Sequence, residues 1–159
     1  MFKLAEEVIK RLFILRGIPG AGKSTIGRRL LEKHPTAVLS ERDKYYINPA
    51  NGKYEWAPEK VPIARLNQLA EIEEALKSGK SSIADSLHLT HKQYEPLLDL
   101  AEKHSARPII IDVPFNKATP ELYAARNLHS VPLEQIKGMI AGWESGRSER
   151  FLKMVKRLL

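Results

Sequence analysis

Residues 17–25 read GIPGAGKST and follow, after Arg16, on the apolar run LFIL at 12–15. Three glycines leave the backbone almost bare up to Lys23, Ser24 and Thr25. Gly17, Gly22, Lys23 and Ser24 fit G-x-x-x-x-G-K-[ST], the P-loop pattern. A chain without Cβ atoms turns tightly and can aim several N–H groups at one anion. Gly20 and Ala21 complete the cradle, and a helix beginning near Lys23 adds the positive end of its dipole. In that arrangement Lys23 reaches the β- and γ-phosphates of a nucleoside triphosphate such as ATP. Ser24 offers its hydroxyl to Mg²⁺, and Thr25 lies against the α-phosphate.

Outward from this loop, short apolar runs alternate with longer amphipathic ones. LFILR (12–16), TAVLS (36–40), SSIAD (81–85) and PIIIDV (108–113) predict strands, the last rich in β-branched residues. Helices are predicted from Lys23 to the residue before Pro35, from Pro58 to Gly79, and over 91–104 behind Thr90, where Pro96 shortens or kinks the helix. Thr119-Pro120 opens another, and 131–144 and 148–159 predict closing helices. Asn, Gly and Pro mark turns in the connection NPANGKYEWAP (48–58). Strand and helix in alternation imply α/β architecture: a P-loop kinase fold with a four- to five-stranded parallel sheet, covered on both faces. Residues 1–159 are expected to form one domain, with a helical lid at about 115–131 and a basic C-terminal helix at about 147–159.

Composition narrows the class. The 159 residues are 43% hydrophobic and 28% charged, which suits a globular chain rather than a disordered one. No cysteine is present, which excludes disulfides and thiolate metal sites and suits a reducing, cytoplasmic setting. Charge interrupts every apolar stretch of MFKLAEEVIKRLFILRG, so no secretory or membrane segment is expected there. The formal charge of +7 favours polyanionic partners. For the tail alone, lysines on a solvated helix face explain the excess equally well.

A P-loop serves GTPases, motors and kinases. No N-K-x-D stretch is present to read guanine, and a compact domain fits a kinase better than a motor. A kinase needs a group that takes or orients the proton of the acceptor hydroxyl. In an open α/β sheet such a group stands at a strand's carboxyl end. Asp43 in SERDKYY, Asp85 ending SSIAD and Asp112 ending PIIID all qualify by position. A helix cap or surface ion pair is the competing role for each.

Here GIPGAGKST, ERDKYY after the second strand, IADSLHLTHKQYEPLLDLA after the third, and DVPFNKATPELYAARNLHSVPLEQI near the end resemble the kinase domain of the polynucleotide 5′-hydroxyl kinases. The similarity runs from about Leu12 to Trp143. It implies ATP as phosphate donor, Mg²⁺, and a 5′-OH end of RNA or DNA as the acceptor partner. It places Asp43 at the family's general base and Asp85 at its essential aspartate on the acceptor side. Arg126 corresponds to a lid arginine that closes on the triphosphate. Lys23, Asp43, Asp85 and Arg126 are therefore the expected catalytic set, and Asp43 or Asp85 would assist Ser24 at the metal through water.

Two positions depart from the family. The acceptor-phosphate arginine expected three residues after the base is Tyr46, and the second lid arginine is His129. Arg42 and Tyr46 are the candidate acceptor-binding residues that remain, although neighbouring side chains diverge and Arg42 is not an obvious substitute. Tyr45 and Tyr46 could stack on a base. Trp56 with Tyr54 is either part of an acceptor lid or a plug for its own loop, and Trp143 is expected in the core. His88 and His91 are three apart without an evident third metal ligand. No D-x-D-x-T/V motif is present, so a phosphatase module is not expected. A small-metabolite kinase of the same fold, or a non-catalytic ATP-binding protein, are the rival readings.

Overall fold

A computed structural model describes residues 9–149, Phe151 and the backbone of 155–157. Among these residues one sheet holds five parallel strands: β1 (Arg11–Arg16), β2 (Val38–Glu41), β3 (Ser82–Asp85), β4 (Arg107–Asp112) and β5 (Val155–Arg157), in the order β2-β3-β1-β4-β5. β1 is central, so the loop leaving it emerges between two neighbouring strands. Leu15 pairs with Asp85 on one side and Ile111 on the other. The carboxyl ends of β1 and β3 therefore stand together, which is where open α/β sheets bind ligands.

Side-chain alternation along β1 and β4 explains the two covering layers. Leu12, Ile14 and Ile110 face a core with Ile72, Leu76 and Leu97, supplied by α2 (Val61–Lys77) and α3 (His91–Lys103). Phe13, Leu15 and Ile111 face the other way, against Ile26, Leu30 and Leu31 of α1 (Lys23–Lys33). A third cluster, Ile18, Tyr123, Ile136 and Trp143, packs α4 (Pro120–Arg126) and α5 (Leu133–Ala141) over the sheet's carboxyl end. The stretch expected as a lid, about 115–131, contains α4 and part of the loop that leads to α5, and Trp143 is buried as expected.

The elements shift slightly from the sequence expectation. Pro58 opens a short 3₁₀ turn (Pro58–Lys60), and the α-helix proper begins at Val61 with Pro62 in its first turn. Pro96 lies within α3 without ending it; Gln93 Oε1 accepts the Thr90 N–H at 3.0 Å and secures the helix start. The expected basic helix over about 147–159 is corrected at its end. Val155–Arg157 form β5, in register with Ile110–Asp112. Without that strand, β4 would present a row of unpaired N–H and C=O groups at the sheet edge, and pairing them outweighs helical continuation. The rest of that segment lies partly outside the described residues. No helix among the described residues is long and apolar enough to cross a membrane.

Candidate active site

The chain leaves β1 at Arg16 and must reverse into α1 within six residues. Gly20 and Gly22 adopt φ of 79° and 99°, the left-handed region that glycine enters without strain. A Cβ on Gly17 would stand 2.9 Å from Lys23 Cγ, and one on Gly20 would stand 2.8 Å from Tyr123 O. The bare backbone thus lets the Lys23 stem pass on one side and α4 dock on the other. Lys23 Nζ donates to Ile18 O at 3.1 Å across the loop. Desolvation lowers its pKa, while Asp85 and then Asp43 raise it, so both carboxylates act on this ammonium. Thr25 is exposed at the start of α1.

Asp85 ends β3 beside this loop and is only 8% exposed. Ser24 Oγ donates to its Oδ2 at 3.2 Å. Burial pushes the Asp85 carboxyl above its ordinary pKa, Lys23 and Ser24 pull it down, and Glu41 and Asp43 push it up. A hydroxyl from a helix start and a carboxylate from the adjacent strand end form an all-oxygen pair that fits Mg²⁺ completed by water and phosphate oxygens. Asp85 thus bonds the P-loop serine directly.

Asp43 is different in every respect. It lies in the 3₁₀ turn Arg42–Tyr46 that follows β2, and its side chain is 57% exposed. His129, from the loop between α4 and α5, brings Nε2 to 3.1 Å from Oδ2. Tyr54 donates its hydroxyl to Oδ1 at 3.4 Å and stacks on the His129 ring with centroids 3.9 Å apart. Burial and the Asp43 charge push the Tyr54 phenol pKa upward, so it remains a protonated donor. Lid, connection and 3₁₀ turn therefore meet at one carboxylate. Tyr54 belongs to the site and is not simply a plug, a role that could be read only with His129 in view.

Arg42 and Tyr46, expected to face the acceptor, are 8% and 4% exposed, which corrects that expectation for Tyr46 and narrows it for Arg42. Arg42 Nε donates to Gln68 Oε1 at 3.0 Å, while Gln68 Nε2 donates to Ser40 O at 3.0 Å and Asp85 O at 3.2 Å. Gln68 is fastened to the ends of β2 and β3 and draws Arg42 inward. Tyr46 packs edge-on against Tyr54 with centroids 5.8 Å apart. Tyr45 does not stand free as a stacking platform: its hydroxyl donates to Glu71 at 2.8 Å, and burial with Glu71 pushes its pKa to about 12.

Arg126 ends α4, exposed and without an ion pair among the described residues. The same helix touches Gly20 through Tyr123 O, which brings Arg126 to the rim of the loop. Asn127 fixes the turn that follows: its Nδ2 donates to Tyr123 O and Ala124 O, and its Oδ1 accepts from Val131 N at 2.7 Å.

Two further polar groups that the sequence singles out, His88 and Asp112, are taken up by buried bonds. His88 is fully buried at φ 46° and its Nδ1 bonds Leu15 O at 2.7 Å; burial pushes its pKa down to about 3, so it is neutral. Asp112 accepts from Arg16 Nη1 at 3.2 Å and from Arg147 Nη2 at 2.7 Å, and the Arg16 guanidinium lies 3.8 Å from the centre of the Trp143 ring. This carboxylate ties Arg16 at the end of β1 to Arg147 in the segment after α5.

A parallel sheet with β1 central, a glycine cradle closing on Lys23, and a serine–aspartate pair beside it define a P-loop protein with the kinase-type phosphotransferase fold. The chain belongs to the family described as an AAA domain, whose model matches residues 12–145. NEDD4-binding protein 2 from Homo sapiens is 30% identical over 135 residues, 84% of this chain and 8% of that protein. The chain thus spans less than a tenth of that relative. Among solved structures, the Pnkp1/Rnl/Hen1 RNA repair complex superposes with a TM-score of 0.65 at 19% identity, over 87% of this chain and 45% of that one. A gluconokinase from Sinorhizobium meliloti 1021 superposes with a TM-score of 0.61 at 18% identity, over 94% and 82%.

Proposed function

We propose that the chain is an ATP- and Mg²⁺-dependent kinase that transfers the γ-phosphate to the 5′-hydroxyl end of RNA or DNA. The observation that carries this reading is the exposed Asp43 carboxylate at the end of β2, within electrostatic reach of Lys23 and Asp85. The backbone of Gly17–Gly22 and Lys23 hold the triphosphate, and Thr25 flanks it. Ser24 and Asp85 would hold Mg²⁺, which when bound would neutralise phosphate charge. Asp43 orients the acceptor hydroxyl and takes its proton as the new P–O bond forms and the bond to the ADP oxygen breaks. Arg126 offsets charge on the transferred group from the lid side. Likeness to the Pnkp1-containing complex and a net charge of +7 support a nucleic-acid acceptor. The lack of cysteine supports a cytoplasmic setting.

A small sugar or sugar-acid acceptor is the second reading, favoured by the gluconokinase, which matches over 82% of its own length. One assay separates the two: γ-labelled ATP and Mg²⁺ with 5′-OH RNA, 5′-OH DNA, gluconate and neutral sugars. Label on the oligonucleotide is expected, and Asp43→Ala should abolish it while ATP affinity stays within about threefold. Label on a metabolite alone overturns the nucleic-acid reading. Equal loss of transfer and ATP binding in Asp43→Ala overturns the assignment of the base.

A further inference from the structure

Two segments far apart in sequence meet the exposed Asp43 carboxylate, and they do not hold it alike. Tyr54 belongs to the same unit as Asp43. It forms an antiparallel bridge with Ile47, Glu55 N donates to Tyr46 O at 2.7 Å, and the Tyr54 ring packs on the buried Tyr46. Its hydroxyl is therefore a fixed donor to Oδ1. His129 comes from a different body, the tip of the loop between α4 and α5. Asn127 ties the two ends of that tip together: Oδ1 accepts from Val131 N at 2.7 Å, and Nδ2 donates to Val131 O at 3.3 Å. Within it Leu128 is 91% exposed, and Ser130 takes a φ of 56°, a region that residues other than glycine enter at a cost. The tip reaches the turn through His129, by the 3.1 Å contact to Asp43 Oδ2 and the stack on Tyr54.

Both contacts fall on the group that the proposed reaction needs free. A carboxylate has roughly four lone-pair sites, and His129 and Tyr54 take one on each oxygen. When no acceptor is bound, water is the competing nucleophile. Its oxygen would form the new bond to the γ-phosphorus, the bond to the ADP oxygen would break, and Asp43 would take the water proton, leaving ADP and inorganic phosphate. An unobstructed Asp43 would orient a water as readily as an alcohol. A contact that must first be broken separates the two. An acceptor bound through its own body brings interaction energy with which to displace the His129 ring, whereas a water brings none. His129 is the member that can move, because Tyr54 is fixed to the turn. Imidazole also lacks the planar fork with which the arginine expected here would grip phosphate, and the ring is turned to Asp43 instead.

Resting on the function proposed above, we infer that His129, stacked on Tyr54, gates Asp43 against water and so sets the selectivity for an alcohol over water as the nucleophile. With the loop tip down, the base is held by protein donors and ATP is hydrolysed slowly. A bound acceptor lifts the tip and takes its place. The contacts are half exposed, so the gate is a weak one: a ring stack of ordinary strength shifts an opening equilibrium by about two- to tenfold.

The test measures two rates for each variant: ADP release with ATP and Mg²⁺ alone, and transfer of label to a 5′-OH oligonucleotide. His129→Ala should raise acceptor-free ADP release by about two- to tenfold with ATP KM unchanged. A role confined to holding the loop in shape would lower that rate or leave it alone. His129→Phe keeps the ring stack and loses the bond to Asp43, so it should show a smaller rise. Adding Asp43→Ala to His129→Ala should return ADP release to the wild-type level or below, because the gate acts through the base. ADP release that does not rise in His129→Ala overturns the gate, and so does a rise that survives Asp43→Ala. In both cases, transfer to the oligonucleotide leaves the kinase reading standing. An Asp43-dependent rise without label on any nucleic acid supports the gate and overturns the acceptor proposed above. Should His129→Ala lose ATP affinity through misfolding, His129→Phe decides by the same readout.

Discussion

Replacing Asp112 by alanine removes the anion shared by Arg16 and Arg147, at 3.2 and 2.7 Å, where the three side chains are 6%, 0% and 12% exposed. Burial lowers the Arg16 pKa and Asp112 is the first cause that opposes it, so without Asp112 the guanidinium is left charged in a dry site. Losing one partner of a buried ion pair costs about 3–5 kcal/mol. Arg16 keeps Trp143 O at 2.6 Å, Leu89 O at 3.0 Å and the Trp143 ring, and Arg147 keeps Glu144 at 2.9 Å. Those survivors favour the lower end, about 3 kcal/mol, or about 6–12 °C in Tm for a domain of this size. Urea and thermal unfolding followed by circular dichroism measure it. Transfer, assayed well below the transition, should stay within about threefold of wild type, because Asp112 makes no contact with the P-loop pair. A stability loss under about 1 kcal/mol refutes the buried-charge argument. A stable variant with transfer reduced by orders of magnitude refutes the structural role itself and returns Asp112 to the reacting centre.

Three other perturbations follow from the site. Asp85 has a native pKa raised by burial, so the folded state holds its proton more tightly than the unfolded chain. Its contribution to stability therefore falls as pH rises from the unfolded value through the native one, and the ionised form is a cost above that. Asp85→Asn should raise Tm at neutral pH, flatten the acid-range pH dependence and abolish Mg²⁺-dependent transfer; a lower Tm at neutral pH refutes the sign. Gly20→Ala forces a side chain into φ 79° and against Tyr123 O, costing about 1–2 kcal/mol from the backbone alone, and should weaken ATP about tenfold by fluorescence titration. Unchanged ATP affinity would show that the loop does not need this conformation. His129→Ala removes the 3.1 Å contact to Asp43 Oδ2 and a ring stack on Tyr54 worth about 0.5–1.5 kcal/mol. Freed from the lid, Asp43 should accept substrate with a severalfold lower acceptor KM, whereas a higher KM would mean that His129 binds the acceptor directly.

The legible part of this molecule is the part whose causes are local. LFILR, GIPGAGKST and the helix after them follow from periodicity and backbone chemistry within a single stretch, and they stand where expected at the centre of the sheet. β5 was not legible, because Val155–Arg157 pair only with the edge of β4, more than forty residues earlier. Arg42 is a candidate acceptor-binding residue in the sequence, and the contact that draws it inward comes from Gln68, 26 residues on. A usable signal did exist: Gln68 falls in phase with Ala64, Ile72 and Ala75, so a polar residue occupies the buried face of α2. A buried amide needs partners, and those partners are the strand ends at Ser40 and Asp85.

The same distinction separates the two halves of the site. In the function proposed above, one loop and one helix start supply almost everything that faces the phosphate donor, with Asp85 added from the adjoining strand. In that reading the acceptor side draws on the 3₁₀ turn at Arg42–Tyr46, Tyr54 in the connection, and His129 in the loop between α4 and α5. Each segment can change without moving the cradle, because none of them sets the path of β1 or α1. A scaffold built this way keeps its donor chemistry while its acceptor chemistry drifts segment by segment. That independence is a physical reason for one fold to be shared by the Pnkp1-containing complex and a gluconokinase. It also puts the weight of any functional assignment on Asp43 and the His129 and Tyr54 side chains that meet it, since the P-loop alone would look the same for either acceptor.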